Sequence, residues 1–364
     1  MRGRRHRVCV LRVQALFVFR AERVVQSIGT WWMWAAFAAI VAAMLLLDLL
    51  VFKGGQQHRV SLKEALAWSV AWVSVALLFA AGLWWHLDGT FGRAIATEKA
   101  VAFLTGYLVE KSLAVDNVFV WMMIFSFFAV PLELQRRVLL YGIVGAIVLR
   151  TAMILGGTWL ISEFHWVLYL FGAFLVATGI KMVWFSGHDP DLAKNPLIRW
   201  IRKRYPVTDK LEGERFFVRR DGMRIATPLL LALVLVEISD VIFAVDSIPA
   251  IFAITTDPFI VLTSNLFAIL GLRAMYFLLA DLGNRFALLK YGLAAILVFI
   301  GTKMLIVEWV EIPVPASLLV VATILAVAVA ASLRHAARER SHARGSSRGG
   351  GRAPRAVSGG DRRR

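Results

Sequence analysis

The chain has 364 residues, a formal net charge of +17 and 59% hydrophobic residues, with a mean hydropathy of +0.70. Soluble domains carry roughly 45–50% apolar residues, and here the excess comes in long blocks, which excludes an ordinary soluble domain. The single cysteine, Cys9, excludes an internal disulfide framework and a thiolate metal site.

Residues 1–29 form a basic extension with Arg2, Arg4, Arg5, Arg7, Arg12, Arg20 and Arg23. No small-residue cleavage site follows it, so no cleaved signal peptide is expected. A helix needs about 20 apolar residues to cross the hydrocarbon layer. Runs of that length fall near 30–52, 62–85, 99–129, 138–161, 165–186, 227–255, 259–281, 286–308 and 314–333. The predicted fold class is therefore all-α, a polytopic membrane protein of about nine transmembrane helices. The third and sixth runs are longer than a bilayer requires and contain charge, which predicts tilt or a break. The organisation follows as two leading helices (30–85), a three-helix unit (99–186), a basic loop (187–226), a second three-helix unit (227–308), a final helix (314–333) and a disordered basic tail (334–364). Within the loop, FFVRRDGMRIAT predicts a hairpin turning at Asp221-Gly222.

Lys and Arg concentrate on alternate connections: Arg136 and Arg137, the 187–226 loop, Arg285 and the tail from Arg334. The positive-inside rule then puts the C-terminus in the cytoplasm and the N-terminus outside. The Arg-rich first residues disobey the rule. The expectation is that translation starts later, before Trp31, and that the first residues are an artefact of start assignment. The basic segments flank membrane spans, so their predicted partner is anionic lipid headgroups and the bilayer rather than nucleic acid. Trp31, Trp32, Trp34, Trp84 and Trp85 read as interfacial anchors.

One pattern occurs twice. Glu110–Val118 reads EKSLAVDNV and Asp240–Ile248 reads DVIFAVDSI, each an acid followed by AVD and then an amide or hydroxyl. The match continues: Arg150 pairs with Arg273 and, in YLFGAFLVATGIKM and YGLAAILVFIGTKM, Lys181 pairs with Lys303. An odd number of helices per copy makes this an inverted repeat of two three-helix units, whose site is expected near the midplane. A charge at that depth costs roughly 2.5–3.5 kcal/mol on insertion scales, so repeated acids mark an ion or proton path.

Chemically, Glu110, Asp116 and Asn117 from one copy and Asp240, Asp246 and Ser247 from the other offer oxygen ligands only, which suits Mn²⁺, Ca²⁺ or Mg²⁺. On a straight helix the two acids of a copy lie about 120° apart. Pro249 is therefore expected to break the helix and free the Val245 carbonyl as a further ligand. Glu237, one turn before Asp240, and Asp48, in the first run, are additional candidates. Lys111, Arg150 and Arg273 are the expected counter-charges when no cation is bound. No nucleotide-binding motif is present. Two intramembrane aspartates without a GxGD context argue against a protease, so no enzymatic activity is expected. A scaffold acting through the basic loop is the alternative reading, and self-association into a homo-oligomer is compatible with the pattern.

EKSLAVDNVFVW at 110–121 and EISDVIFAVDSIPAIFAITTDPFIVLTSNLFAILGLRAMYFLLA at 237–280 resemble the TerC family, most closely its Alx-like branch, over about residues 31–333. The resemblance implies a bacterial inner-membrane protein linked to tellurium resistance and metal stress, and for this branch a Mn²⁺ exporter with no permanently bound cofactor. Carried over motif by motif, the implied metal residues are Glu110, Asp116, Asn117, Glu237, Asp240 and Asp246. Asp48 matches an acid in the family's first helix. Ala80 departs from the family, whose members often carry Asn there.

Overall fold

The computed structural model describes residues 27–51, 62–184, 203, 205–208, 210–220, 222–282, 289–310 and 312–349. The start-site expectation for residues 1–26, and Cys9 with it, lie outside them. Ten helices and one hairpin are present among these residues: α1 (Trp31–Val51), α2 (Leu62–Phe91), α3 (Arg93–Phe127), α4 (Leu132–Glu163), α5 (Val167–Trp184), β1 (Phe217–Arg220), β2 (Met223–Ala226), α6 (Pro228–Phe252), α7 (Pro258–Leu270), α8 (Leu272–Leu282), α9 (Leu289–Leu305) and α10 (Val314–Gly349). Among the described residues six segments are long and apolar enough to cross a membrane: Lys63–Phe91, Leu132–Glu163, Val167–Trp184, Pro228–Phe252, Pro258–Leu279 and Val314–Ser332, with Trp31–Leu47 a shorter apolar helix. The chain is an all-α polytopic membrane protein.

Two expectations about helix breaks are corrected. α3 runs unbroken for 35 residues and α6 for 25, with Pro249 inside it. Pro249 lies one turn from the end of α6, so it removes a single donor there, and the Ala253 N–H still reaches the Pro249 carbonyl at 3.1 Å. The interruption instead falls at Gly271, between α7 and α8. α10 also extends past the expected end of the last span, because Leu, Ala, Arg and Glu after Ser332 are good helix formers.

The core is built where α3 meets α2, α6 and α7, and α4 meets α6 and α7. Phe37, Phe79, Phe103, Phe259 and Phe267 pack ring on ring there, with centroids 4.7–6.4 Å apart. Asp257 caps α7: it accepts from the Phe259 N–H at 3.0 Å and from the Ile28 N–H at 3.1 Å, which ties the segment before α1 to this end of the bundle. Trp31 and Trp85 remain 83% and 78% exposed at helix ends, as side chains anchored in an interface must be.

The hairpin pairs Phe217 with Ala226, Val218 with Ile225, Arg219 with Arg224 and Arg220 with Met223, and Gly222 takes φ 79° at the turn. It docks on the start of α4. Phe216 stands edge-on to Tyr141 at 5.3 Å, Arg137 lies over the Phe216 ring and also pairs with Glu214 at 2.8 Å. β2 leads through Thr227 directly into α6. The hairpin therefore fixes the near ends of α4 and α6 against each other.

The closest helix crossing is α5 on α9. Without side chains at Gly172 and Gly301, the two backbones meet: a Cβ at Gly301 would lie 2.7 Å from the Gly172 carbonyl oxygen, and one at Gly179 2.9 Å from the Ala294 carbonyl oxygen. Backbone cannot yield as a flexible side chain can. Gly301→Ala is expected to cost about 1–3 kcal/mol and to lower the thermal midpoint of the purified protein. Gly156→Ala, where a Cβ meets nothing within 4 Å, leaves the midpoint unchanged or raises it slightly. Equal effects at the two positions would contradict the crossing.

Candidate functional site

Glu110 is the central residue of α3 and Asp240 the central residue of α6, so the two antiparallel helices bring their acids to the same depth. Arg150 reaches both from α4. Its Nη2 donates to Asp240 Oδ1 at 2.7 Å and its Nε to Asp240 Oδ2 at 3.0 Å, the two-pronged pairing that a planar guanidinium makes with a carboxylate. Its Nη1 donates to Glu110 Oε1 and, at 3.3 Å, to Ser247 Oγ. Asn117 Nδ2 donates to Asp240 Oδ1 at 3.5 Å. All five side chains are buried, and Arg150, Glu110 and Asp240 are each 1% exposed. Glu110 Oε2 and Asn117 Oδ1 have no hydrogen-bond partner among the described residues.

The remaining predicted site residues lie apart from this centre. Glu237 is one turn along α6 from Asp240, and its carboxylate rests against Gly145 of α4, where any Cβ would collide with it. Asp246 is half-buried on another face of α6, accepts from Thr178 Oγ1 at 3.3 Å and faces the Lys181 ammonium. Asp116 is half-buried, with the Lys290 ammonium in its surroundings. The expected single cage is therefore corrected: no three His, Cys, Asp or Glu side chains among the described residues come together in a way that could hold a metal ion. The 120° offset within each AVD copy persists because neither helix breaks. Asp48 falls on α1, and its side chain is outside the described set.

The three counter-charges also separate. Arg150 engages Glu110 and Asp240. Lys111 turns the other way and donates to the Ala268 carbonyl at 3.2 Å, with its ammonium beside Gly271 at the interruption between α7 and α8. Arg273 is buried on α8. Lys303, whose position in the pattern suggests a side chain reaching out to the interface, is buried and donates to Ser317 at 2.9 Å.

Sequence reasoning missed Tyr107, Trp121 and Asn265, all buried, with the Tyr107 hydroxyl, the Trp121 Nε1 and both amide atoms of Asn265 lacking a partner among the described residues. An Asn inside the apolar PFIVLTSNLFAIL run was the available signal. A separate cavity of about 410 Å³ between α1, α2 and α7 is apolar, with Met33, Leu83 and Phe259 on its walls and no acid among its lining residues.

Removing one partner of a buried ion cluster strands the others. Arg150→Met is expected to cost about 3–5 kcal/mol and to depress the thermal midpoint and the folded yield. The triple variant Arg150→Met with Glu110→Gln and Asp240→Asn is expected to recover most of that loss. A single variant as stable as the native protein would show that the guanidinium does not neutralise these acids.

Residues 95–342 match the model of the integral membrane protein TerC family. Relatives designated membrane-bound redox modulator Alx include one from Escherichia coli K12, 61% identical over 299 residues, which covers 82% of this chain and 93% of the relative. Another, from Photorhabdus laumondii, is 60% identical over 301 residues, covering 83% and 94%. A Myxococcus xanthus protein described as an uncharacterized membrane protein is 50% identical over 299 residues, covering 82% and 91%. No solved structure matches. Both the family model, which spans more than half of the chain, and these likenesses over more than four fifths of it show that the chain belongs to the TerC family of integral membrane proteins.

Proposed function

We propose that this protein is a secondary transporter that exports divalent cations, with Mn²⁺ as the cargo, from the cytoplasm across a bacterial inner membrane in exchange for protons. The observation that carries this reading is the Arg150 bridge: two acids from two helices, buried at the same depth, held together by a cation that belongs to a third helix. Such a pair is made to be neutralised by something positive. When the cargo takes that part, α4 must release α3 and α6, and binding is thereby coupled to helix movement. Oxygen ligands from Glu110, Asp240, Asn117 and Ser247 suit Mn²⁺, with Ca²⁺ and Mg²⁺ as competitors. Carboxylates that give up a metal are the groups that take up the exchanged protons.

The inverted repeat belongs to the same reading and has support in the contacts. Its alignment exchanges 172 with 294 and 179 with 301, and the α5–α9 crossing seats Gly172 on Gly301 and Gly179 on Ala294. Each contact is thus the image of the other. In this reading the hairpin side and the C-terminus face the cytoplasm, which the distribution of Lys and Arg supports, with anionic headgroups as partners of the basic loop and tail. The relatives' redox designation fits a role reached through cation handling, since the one cysteine, Cys9, provides no internal dithiol.

The test is Mn²⁺ flux into liposomes carrying the purified protein under a pH gradient. The native chain is expected to move Mn²⁺, Glu110→Gln and Asp240→Asn to abolish movement, and Asp116→Asn and Asp246→Asn to slow it without abolishing it. No flux from well-folded native protein, or full flux from Asp240→Asn, would overturn the reading and favour a scaffold.

A further inference from the structure

Among the described residues, the buried polar atoms of α3 that lack a partner are not scattered. Tyr107, Glu110, Asn117 and Trp121 occupy one arc of α3 about 80° wide, at helical spacings of three, seven and four residues. From Tyr107 to Trp121 the arc runs for about 21 Å along the helix, most of a hydrocarbon layer that is roughly 30 Å thick.

The neighbouring helices contribute on both sides of the ion cluster. Gly106 abuts Ser264, since a Cβ there would lie 2.8 Å from the Ser264 hydroxyl. Asn265, the next residue of α7, therefore shares the depth of Tyr107, on the Arg93 side of Arg150. α6 runs antiparallel to α3, with Ile251 near Gly106 and Asp240 bonded to Asn117. Glu237, whose Oε2 is also unpartnered, therefore lies toward the hairpin side, as do Asn117 and Trp121. Gly145 opens the space for the Glu237 carboxylate.

A polar atom buried without a partner costs about 1–3 kcal/mol, and the cost of six such groups in one line is avoided only if the line is wet. We propose that the route across the membrane follows this stripe of α3, walled by Asn265 of α7 and Glu237 of α6, and that water and the hydrated cation reach the Arg150 ion cluster along it from both faces. Buried water bonds to the groups that lack protein partners, and a hydrated divalent cation meets the same hydroxyl, amide and carboxylate oxygens. In this arrangement Arg150 is the barrier: polar groups continue on either side of it, and its own hydrogen bonds close the middle. The identity of the cargo rests on the transport reading above, whereas the wet route does not.

Water can be read directly. The native protein in lipid nanodiscs is exposed to a radiolytic hydroxyl-radical pulse, which modifies side chains next to water, and oxidation is located by mass spectrometry. Tyr107 is expected to be modified several-fold more than Tyr276, which is also buried, 2% against 7% exposed, but donates to Gln135 at 2.6 Å, and Trp121 several-fold more than the buried Trp72. Tyr107 and Trp121 modified no more than these controls would overturn the route. A second measurement uses the Cys9→Ser background. Tyr107→Cys is expected to react with a charged methanethiosulfonate applied from the Arg93 side, Trp121→Cys from the hairpin side, and Val109→Cys, buried off the arc, from neither. Absence of reaction at 107 and 121, or equal reaction at 109, would also overturn it. Because both readouts report water and neither reports flux, wet positions without Mn²⁺ movement would leave the route standing and remove only the cargo.

Discussion

The middle of this protein is organised by the Arg150 guanidinium. Three charged side chains buried at mid-depth are a severe burden in a membrane, each costing roughly 2.5–3.5 kcal/mol on insertion scales when alone. Two-pronged pairing with Asp240 and a further bond to Glu110 give each charge an opposite one at hydrogen-bonding distance. The pairing also fixes the helices. α3 supplies Glu110, α6 supplies Asp240 and α4 supplies the cation, so none of the three can slide or rotate without exposing a charge to apolar surroundings.

The rest of the architecture lets those three helices meet. Gly106 admits Ser264, Gly142 admits Val236 and Gly145 admits the Glu237 carboxylate, so each close approach around the site is made by a residue without a side chain. The interruption at Gly271 follows the same logic. Ending α7 there leaves carbonyls at a helix C-terminus, where a positive charge is favoured, and Lys111 supplies one from α3. Two consecutive residues of α3 thus do opposite electrostatic work: Glu110 meets a cation and Lys111 meets the negative end of a helix. Consecutive helical positions point about 100° apart, and that separation makes the division possible.

Much of this was legible in the sequence. Apolar run lengths showed where helices lie, because spanning a bilayer demands length, but not how many span: among the described residues six segments are long and apolar enough, and the 259–281 run is interrupted at Gly271. The doubled acid motif pointed to Glu110, Asp240 and Asn117, and Arg150 was recognisable as a counter-charge because a lone arginine at that depth needs acids. The convergence of Asp116 and Asp246 on the same centre was not correctly readable. It required a break at Pro249, and a proline near a helix end disturbs too little to make one. Which of several buried cations meets which partner was equally hidden: Lys111, Arg150 and Arg273 look alike in a hydropathy profile, and only packing sends one to the acids and another to a carbonyl. The small residues at helix contacts were visible as glycines, but their partners were not.

Charge arithmetic then constrains how the proposed exchange proceeds. With Glu110 and Asp240 ionised, Arg150 in place leaves the cluster with one net negative charge. A divalent cation added to that cluster would leave it one charge positive, whereas a divalent cation in place of the guanidinium balances the two acids. In a low-dielectric centre the balanced state is favoured, since an uncompensated charge has no solvent to spread into. Entry of the cargo and departure of Arg150 are then two parts of one event. Arg150 cannot diffuse away, because its backbone belongs to α4, so its departure requires α4 to shift or its side chain to find another acid. Glu237, seated against Gly145 on the helix that carries Arg150, offers such a carboxylate. A tethered cation with two alternative acidic partners provides two discrete arrangements, the kind of bistable element on which movement between an inward-open and an outward-open form depends.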